Sequence, residues 1–528
     1  MIASRSSPRN TKAASRPRRE RLLLVALLIG CACFAVKTID IARYDAAIVR
    51  FPFQVDDAEG VVVAEAGLIA HGTNPYAFQP SPAPYFYAGP YTPVYTTLNA
   101  AAIAVAGPTF KFGRALQWLA TVAVAAWLAW AVHRAVSRRI GWVLGAWCAG
   151  LFFTAHLVVV WSVRVRPDMT ALAWNLLGVF VLRAWVDESG DRELWRASAW
   201  PRGRDLAALA LGAACFALGW WTKQTFIAAP LAFLAVTLLR RPRVAVVLAG
   251  LYAVMIALPF LVLTGLTHGG FAQKTIGYQG SWEWTALHRL AEPFVHRYAL
   301  VLGGALIAAI LISLPIRRPA FAVCWLVLSE GFALGAGTSG GNHNHFVELL
   351  AASSLILGYG IGVAINRPPR AQQAAWAWTA AAVAAILLLS GVSAIEHEGT
   401  AGWLARDYRQ PTQGERDGLA AVASYLANAP GPVYSNNVGI LVVAGRTVRV
   451  TDPFTMAAEV RLGRWDDAEL VADVAAGRYA AIALGYNQNV AELNPDLPPT
   501  DATPGLIRAI QARYRLVERN VLNIYVPK

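Results

Sequence analysis

Apolar runs long enough to cross a lipid bilayer recur along this chain, and no other feature limits its possible folds so severely. They fall at 22–38, 113–133, 141–163, 169–186, 205–221, 224–240, 243–266, 297–315, 319–337, 346–365 and 374–395. A spanning helix needs ~20 largely apolar residues. Backbone in hydrocarbon must satisfy its own hydrogen bonds, so a chain of such runs folds as a helical bundle. Only 15% of the residues are charged, well under the ~25% of a typical soluble protein. The expected class is an α-helical polytopic membrane protein with about 11–12 transmembrane helices. A twelfth run, 92–107, is short and begins beside Tyr91 and Pro93.

The formal net charge of +14 does not point to nucleic acid. The basic residues lie in the N-terminal tail and in short loops between apolar runs, where Lys and Arg fix orientation. A basic patch interleaved with aromatics on one soluble domain is missing. If 92–107 does not fully cross, "HRAVSRR", "RRPR", "PIRRP" and "NRPPR" all share the side of the basic tail. The expected topology therefore has eleven crossings in the cell (inner or plasma) membrane, with the N-terminus cytoplasmic and the C-terminus extracytoplasmic. Residues 1–20 read as a basic disordered cytoplasmic tail, whose charge also suits an anionic leaflet of membrane lipids.

"RPRRERLLLVALLIGC" has the shape of a secretory signal, and Leu28 to Cys31 resembles a lipoprotein cleavage box. The apolar run continues through Val36 and others follow, so an uncleaved first helix is expected. Cys31, Cys33, Cys148, Cys215 and Cys324 all lie in apolar runs, read as small buried hydrophobes, and show no metal spacing.

After the membrane module, 21–395, the character changes. "QGERDGLAAVASYLANAP" and "DDAELVADVAAGR" read as helices; "GPVYSNN", "RTVRVTD" and "YAAIALGY" read as strands behind Gly or Pro. Residues 396–528 are expected to form a small α/β domain with its own core on the outer face.

Three carboxylates crowd the first outer loop, 40–91: Asp56, Asp57 and Glu59 in "FPFQVDDAEG". A solvated turn or helix cap would account for them. Their company on the same side favours function. Asp168 opens another apolar run, where an N-cap is the plain role. Arg164 and Arg166 stand on the face that the charge rule disfavours. Lys223 lies between two apolar runs, and His343, His345 and Glu348 open a further one. His-x-His without a fixed third ligand is a weak metal signal. Carboxylates supply a base or hold a divalent cation, Arg and Lys grip phosphate, and aromatics such as Tyr76, Tyr85, Tyr87, Tyr91, Trp282 and Trp284 stack on sugars or line a lipid chain.

With these pieces, "DDAEGVVVAEAGLIAHGTNPY", "YFYAGPYTPVYTTLN", "FGRALQWLA", "RVRPDMTALAWNLLG", "TKQTFIAAPLA" and "GGNHNHFVELLAA", the chain resembles the GT-C glycosyltransferases. It is most similar to the family-39-like group of protein O-mannosyltransferases and lipid A aminoarabinose transferases. The resemblance implies an integral membrane glycosyltransferase that moves a sugar from a polyprenyl-phosphate donor to an acceptor hydroxyl on protein, lipid or glycan. One displacement would invert the anomeric centre. The family's acidic pair falls on Asp56, Asp57 and Glu59, with Asp57 favoured as base and Glu59 the main rival. Its second acidic position matches Asp168 and its helix-end Lys matches Lys223. Arg166, Tyr87, Tyr91, His345 and Glu348 join the expected substrate-binding set. A divalent Mg or Mn is a candidate cofactor, with Asp57 and Asp168 its candidate ligands. The Tyr-Pro-Pro-Leu element departs from pattern as Tyr91-Thr92-Pro93-Val94.

A transporter or flippase for lipid-linked precursors is one alternative; it calls for charges near the bilayer midplane and two related halves. Here the charges gather at one interface and no repeat is visible. A non-catalytic carrier-binding scaffold is the other. Neither would release free polyprenyl phosphate from a labelled donor. The topology has its own check. Cysteine introduced into the 267–296 loop is expected to react with an impermeant thiol reagent in intact cells; labelling only after lysis would reverse the orientation.

Overall fold

The computed structural model describes residues 16–136, 138–183, 200–201, 203–278, 280–313, 321–366, 409–485, 487–519 and 521–528. The expected crossing at 374–395 lies outside these residues, as do positions 1–15 of the expected 1–20 tail and most of the "PIRRP" and "NRPPR" loops; positions 16–20, expected to be disordered, belong instead to the first helix. Six helices among the described residues are long and apolar enough to span: Leu24–Arg50, Lys111–Ala135, Arg204–Thr222, Pro242–Leu266, Trp284–Ile310 and His343–Val363. Shorter apolar helices at Pro93–Ala106, Asp168–Val181, Ala228–Arg240 and Phe321–Gly337 pack among them. The chain is a multi-pass membrane protein.

The bundle opens with α1 (Arg16–Arg50), α2 (Asp57–Ala70), α3 (Pro93–Ala106) and α4 (Lys111–Ala135). Helix α1 runs twelve residues past the expected end at 38, because Asp45 is buried and accepts a hydrogen bond from Trp118 Nε1 at 2.9 Å. The 141–163 run is two helices, α5 (Arg138–Phe153) and α6 (His156–Ser162), bent by 69°. Thr154 Oγ1 donates back to Gly150 O at 2.8 Å just before the bend, a bond that often bends helices. Helix α3 has 14 residues, about 21 Å of rise against a hydrocarbon core of about 30 Å. Tyr95 Oη in its first turn donates to Gly113 O in the first turn of α4 at 2.9 Å, so α3 and α4 begin at the same end of the bundle.

Next come α7 (Asp168–Val181), α8 (Arg204–Thr222), α9 (Ala228–Arg240), α10 (Pro242–Leu266), α11 (Trp284–Ser313), α12 (Phe321–Ala333) and α13 (Val347–Asn366). The C-terminal α/β region adds α14 (Gln413–Ala427), α15 (Val438–Val443), α16 (Pro453–Arg461), α17 (Ala468–Ala475) and α18 (Pro504–Arg513). Its four strands are β1 (Val433–Ser435), β2 (Ala481–Gly485), β3 (Tyr514–Arg519) and β4 (Leu522–Pro527), in the order β1-β2-β4-β3. The first pair is parallel and the others antiparallel.

Two sequence expectations change here. "RTVRVTD" is not a strand of this sheet; Val450 makes an isolated parallel bridge with Phe86 of the first outer loop. The terminal β3–β4 hairpin went unanticipated. The domain's core is also shared. Phe86 inserts into it against Tyr278 and Trp465, and Phe51 and Phe53 join a second cluster with Leu426 and Ile524. Burying each such Phe contributes about 1.5–3 kcal/mol. The outer loop and the C-terminal region therefore fold as one body.

Helix α15 sits on α2 through two glycines. Gly439 N–H donates to Gln54 Oε1 at 2.7 Å, and a Cβ on Gly60 would stand 2.7 Å from the Gly439 nitrogen. That nitrogen is backbone and cannot swing aside. Gly60→Ala is expected to cost about 1–3 kcal/mol, the usual penalty for overpacking. Limited proteolysis should then cleave the α2–α15 region faster, while a distant control, Gly250→Ala, where a Cβ meets open space, stays resistant.

Candidate active site

The loop after α1, the start of α2, the α6–α7 junction, the end of α8 and the start of α13 meet at one end of the bundle. The three carboxylates that crowd the sequence separate there into three environments.

Glu59 is enclosed. Its oxygens accept Arg114 Nε at 2.8 Å and Nη2 at 2.7 Å, and the Val55 and Val165 N–H groups at 2.8 Å each. Burial alone would raise its pKa, but Arg114 holds the carboxyl below the usual range. No face of this carboxylate is open to a substrate.

Asp56 is clasped. It caps α2 through the Ala58 N–H at 3.1 Å and accepts Arg166 Nε at 2.9 Å and Nη2 at 2.5 Å. Arg166 also lies 5.0 Å over the Trp161 ring and donates to Tyr91 Oη at 3.2 Å. The cation on the disfavoured face thus orients a carboxylate and a phenol.

Asp57 is open. Its side chain reaches solvent, and its Oδ1 accepts a long hydrogen bond from Gln54 Nε2 at 3.5 Å. The surrounding walls exclude much of the bulk water. That desolvation, with Asp56, Asp501 and Asp452 nearby, pushes its pKa up to about 6 against the pull of Arg166. A carboxyl pKa raised in this way suits a general base working near neutrality. Asp501 is held by Asn436 and Gln488 at 2.8 Å each, and Asp452 caps α16 through the Thr455 N–H at 3.1 Å. Neither was expected at the site. They lie some 400 residues along the chain, and no local pattern marks them.

Behind Arg166 sits Asp168. It does not cap α7 with its side chain; Pro167 holds the cap position. Its Oδ1 accepts Lys223 Nζ at 2.6 Å and Asn344 Nδ2 at 2.7 Å, while the buried Oδ2 has no hydrogen-bond partner. Lys223 Nζ lies 5.7 Å from the Tyr91 ring centre. His345 is half-buried within the field of both charges. Asn344, which lies between the two histidines and carries no sequence signal of its own, supplies the amide contact to Asp168.

Two expected substrate residues lie elsewhere. Glu348 turns away and accepts the Ala229 N–H and Trp325 Nε1 at 2.9 Å each, tying α13 to α9 and α12. Tyr87 faces a separate cleft beside Tyr85. The metal expectation also meets a poor donor set. Of the two candidate ligands, Asp168 is already neutralised by Lys223, and the described residues contain no group of three or more His, Cys, Asp or Glu placed to hold an ion.

Neither a protein-family model nor a curated protein sequence matches the chain. Its architecture does match solved structures. The crystal structure of ArnT from Cupriavidus metallidurans bound to undecaprenyl phosphate superposes with a TM-score of 0.57 at 13% identity, over 93% of this chain and 97% of that one. The archaeal oligosaccharyltransferase AglB from Archaeoglobus fulgidus, in complex with an inhibitory peptide and a dolichol-phosphate, matches with a TM-score of 0.51 at 12% identity, over 98% and 75%. This is the GT-C fold. At such identities what is shared is the fold alone.

The Asp168–Lys223 pair offers a test of the site's electrostatics. Lys223→Met leaves a buried carboxylate unpaired and is expected to destabilise the protein by about 3–5 kcal/mol. Adding Asp168→Asn removes the orphaned charge and should recover most of that loss. Thermal unfolding of the detergent-purified single and double variants measures both; a double variant no more stable than Lys223→Met would mean the pair is not coupled.

Proposed function

We propose that this protein is a membrane glycosyltransferase that moves a sugar from a polyprenyl-phosphate donor to an acceptor hydroxyl on the outer face of the membrane. One observation carries the reading. Asp57 is open to solvent with its pKa pushed up to about 6, and the adjoining Asp56 and the nearby Asp168 hold the cations Arg166 and Lys223. The GT-C fold supports it, since ArnT is bound to undecaprenyl phosphate and AglB to a dolichol-phosphate over nearly the whole length of this chain.

In this reading Asp57 takes the proton of the acceptor hydroxyl. The acceptor oxygen forms its bond to the anomeric carbon as the bond from that carbon to the phosphate oxygen breaks. The polyprenyl phosphate leaves with the electron pair, and a single displacement inverts the centre. Arg166 and Lys223 stabilise the phosphate charge as it develops. Asp56 and Asp168 aim these cations, and Tyr91 lies between them. Glu59 keeps α2 in place and takes no proton.

Proteoliposomes supplied with the donor lipid that accumulates in a deletion strain give the assay: release of free polyprenyl phosphate, dependent on acceptor. Asp57→Asn should lower the rate by ~10²–10⁴-fold, as expected for loss of a general base. The wild-type rate should rise with pH as Asp57 ionises, with its half-point near 6, because only the deprotonated carboxylate accepts the proton. Undiminished transfer in Asp57→Asn would refute the assignment, and a profile flat from pH 5 to 8 would show that another group is the base.

A further inference from the structure

A second cleft, of about 570 Å³, opens between the first outer loop and the C-terminal α/β region. That volume lies within the ~300–1,000 Å³ of ordinary ligand sites. Its origin is the two-residue alternation of an extended segment. In Tyr85-Phe86-Tyr87 the middle ring points into the shared core and is fully buried. The Phe86 N–H donates to Arg449 O at 2.7 Å, and its carbonyl accepts the Thr451 N–H at 2.9 Å. Both tyrosines line the cleft, Tyr85 also packing on the edge of that core, and their rings form a tilted pair with centroids 5.3 Å apart. The Tyr87 backbone is pinned as well, donating to Gln79 Oε1 at 3.0 Å.

Across from this platform stand Arg449, Arg478, Glu469 and Asp473. Asp473 accepts Arg449 Nη1 at 3.2 Å and Arg478 Nη1 at 2.5 Å. The two guanidinium groups are therefore neutralised in part by a shared carboxylate, and Glu469 brings a second negative charge. The wall presents hydrogen-bond donors and acceptors with no net positive charge. Such a wall suits hydroxyl groups better than phosphate, which prefers unpaired Arg and Lys. A ring face offers negative charge density to the C–H bonds of a sugar.

We infer that this cleft binds a neutral oligosaccharide segment of the acceptor, so that the substrate class accepting the sugar is a glycan. The inference rests on the transferase reading above. The same loop joins the two sites, for Tyr91, which touches Arg166, is four residues beyond Tyr87. Four residues span at most ~14 Å, within reach of a short oligosaccharide that lies on Tyr85 and Tyr87 while its terminal hydroxyl meets Asp57. The C-terminal region thus selects the acceptor, and the bundle holds the donor.

The test uses full-length protein in nanodiscs and neutral oligosaccharides released from the envelope of a strain lacking the protein. In transfer assays Tyr85→Ala/Tyr87→Ala is expected to raise the acceptor KM roughly tenfold, the loss suited to two aromatic contacts. The donor KM should not move, and Tyr85→Phe/Tyr87→Phe, which keeps both rings, should stay near wild type. An unchanged acceptor KM in the alanine variant, or an equal rise in both KM values, overturns the inference. Calorimetric titration of the same oligosaccharides reads the cleft without any turnover, so failure of the transferase reading is distinguishable. Binding to wild type that the alanine variant loses supports the cleft; absence of binding, or displacement by inorganic phosphate, overturns it.

Discussion

The end of the bundle that gathers the charged residues depends on one buried ion pair, Arg114 with Glu59. Both side chains are fully removed from solvent. Arg114 also donates to the carbonyls of Ile48 at 2.8 Å, Phe51 at 2.6 Å and Phe53 at 2.7 Å. Glu59 takes up the N–H groups of Val55 and Val165. One guanidinium and one carboxylate thus bind the end of α1, the turn that follows, the first turn of α2, the first turn of α4 and the α6–α7 junction. Such a pair does not add stability over well-packed hydrophobes, because desolvation offsets most of the attraction. What it supplies is position, and it does so without an orphaned polar atom of its own.

That position decides the fate of the neighbouring carboxylates. With Glu59 locked inward, Asp56 falls at the cap of α2 and meets Arg166, and Asp57 falls on the outward face. The α/β region then brings Asp452 and Asp501 toward Asp57, which raises its proton affinity. A cluster that looks redundant in sequence separates into a buried anchor, a cation clasp and an open carboxylate. The close Gly60–Gly439 approach and the shared Phe86 core hold the domain that completes this field.

Much of this was legible in the chain. The apolar runs and the change of character after the membrane module lead to the helical bundle and its small α/β region. Asp168 and Lys223 were singled out as charges at helix ends, and they meet at 2.6 Å. The sequence was less informative about partners. Glu348 stands in the same motif as His345 yet bonds to α9 and α12; residues three apart share a helix face, so the neighbours packed on α13, and not the spacing, decide its partners. Arg114 lies in a quoted motif, but a lone Arg in an apolar run does not announce which carboxylate it meets.

Sequence alone determined that the chain crosses a membrane many times and gathers ionisable residues at one face. Those features follow from local physics: the backbone in hydrocarbon must form helices, and charge must leave the bilayer core. Tertiary structure alone decided which carboxylate stays open, which cations are already paired, and that a tyrosine platform faces the C-terminal region. Those outcomes depend on contacts between residues far apart in the chain, such as Phe86 with Val450 and Gln54 with Gly439. No local pattern of residues encodes such a meeting, because it exists only once the surrounding helices have packed.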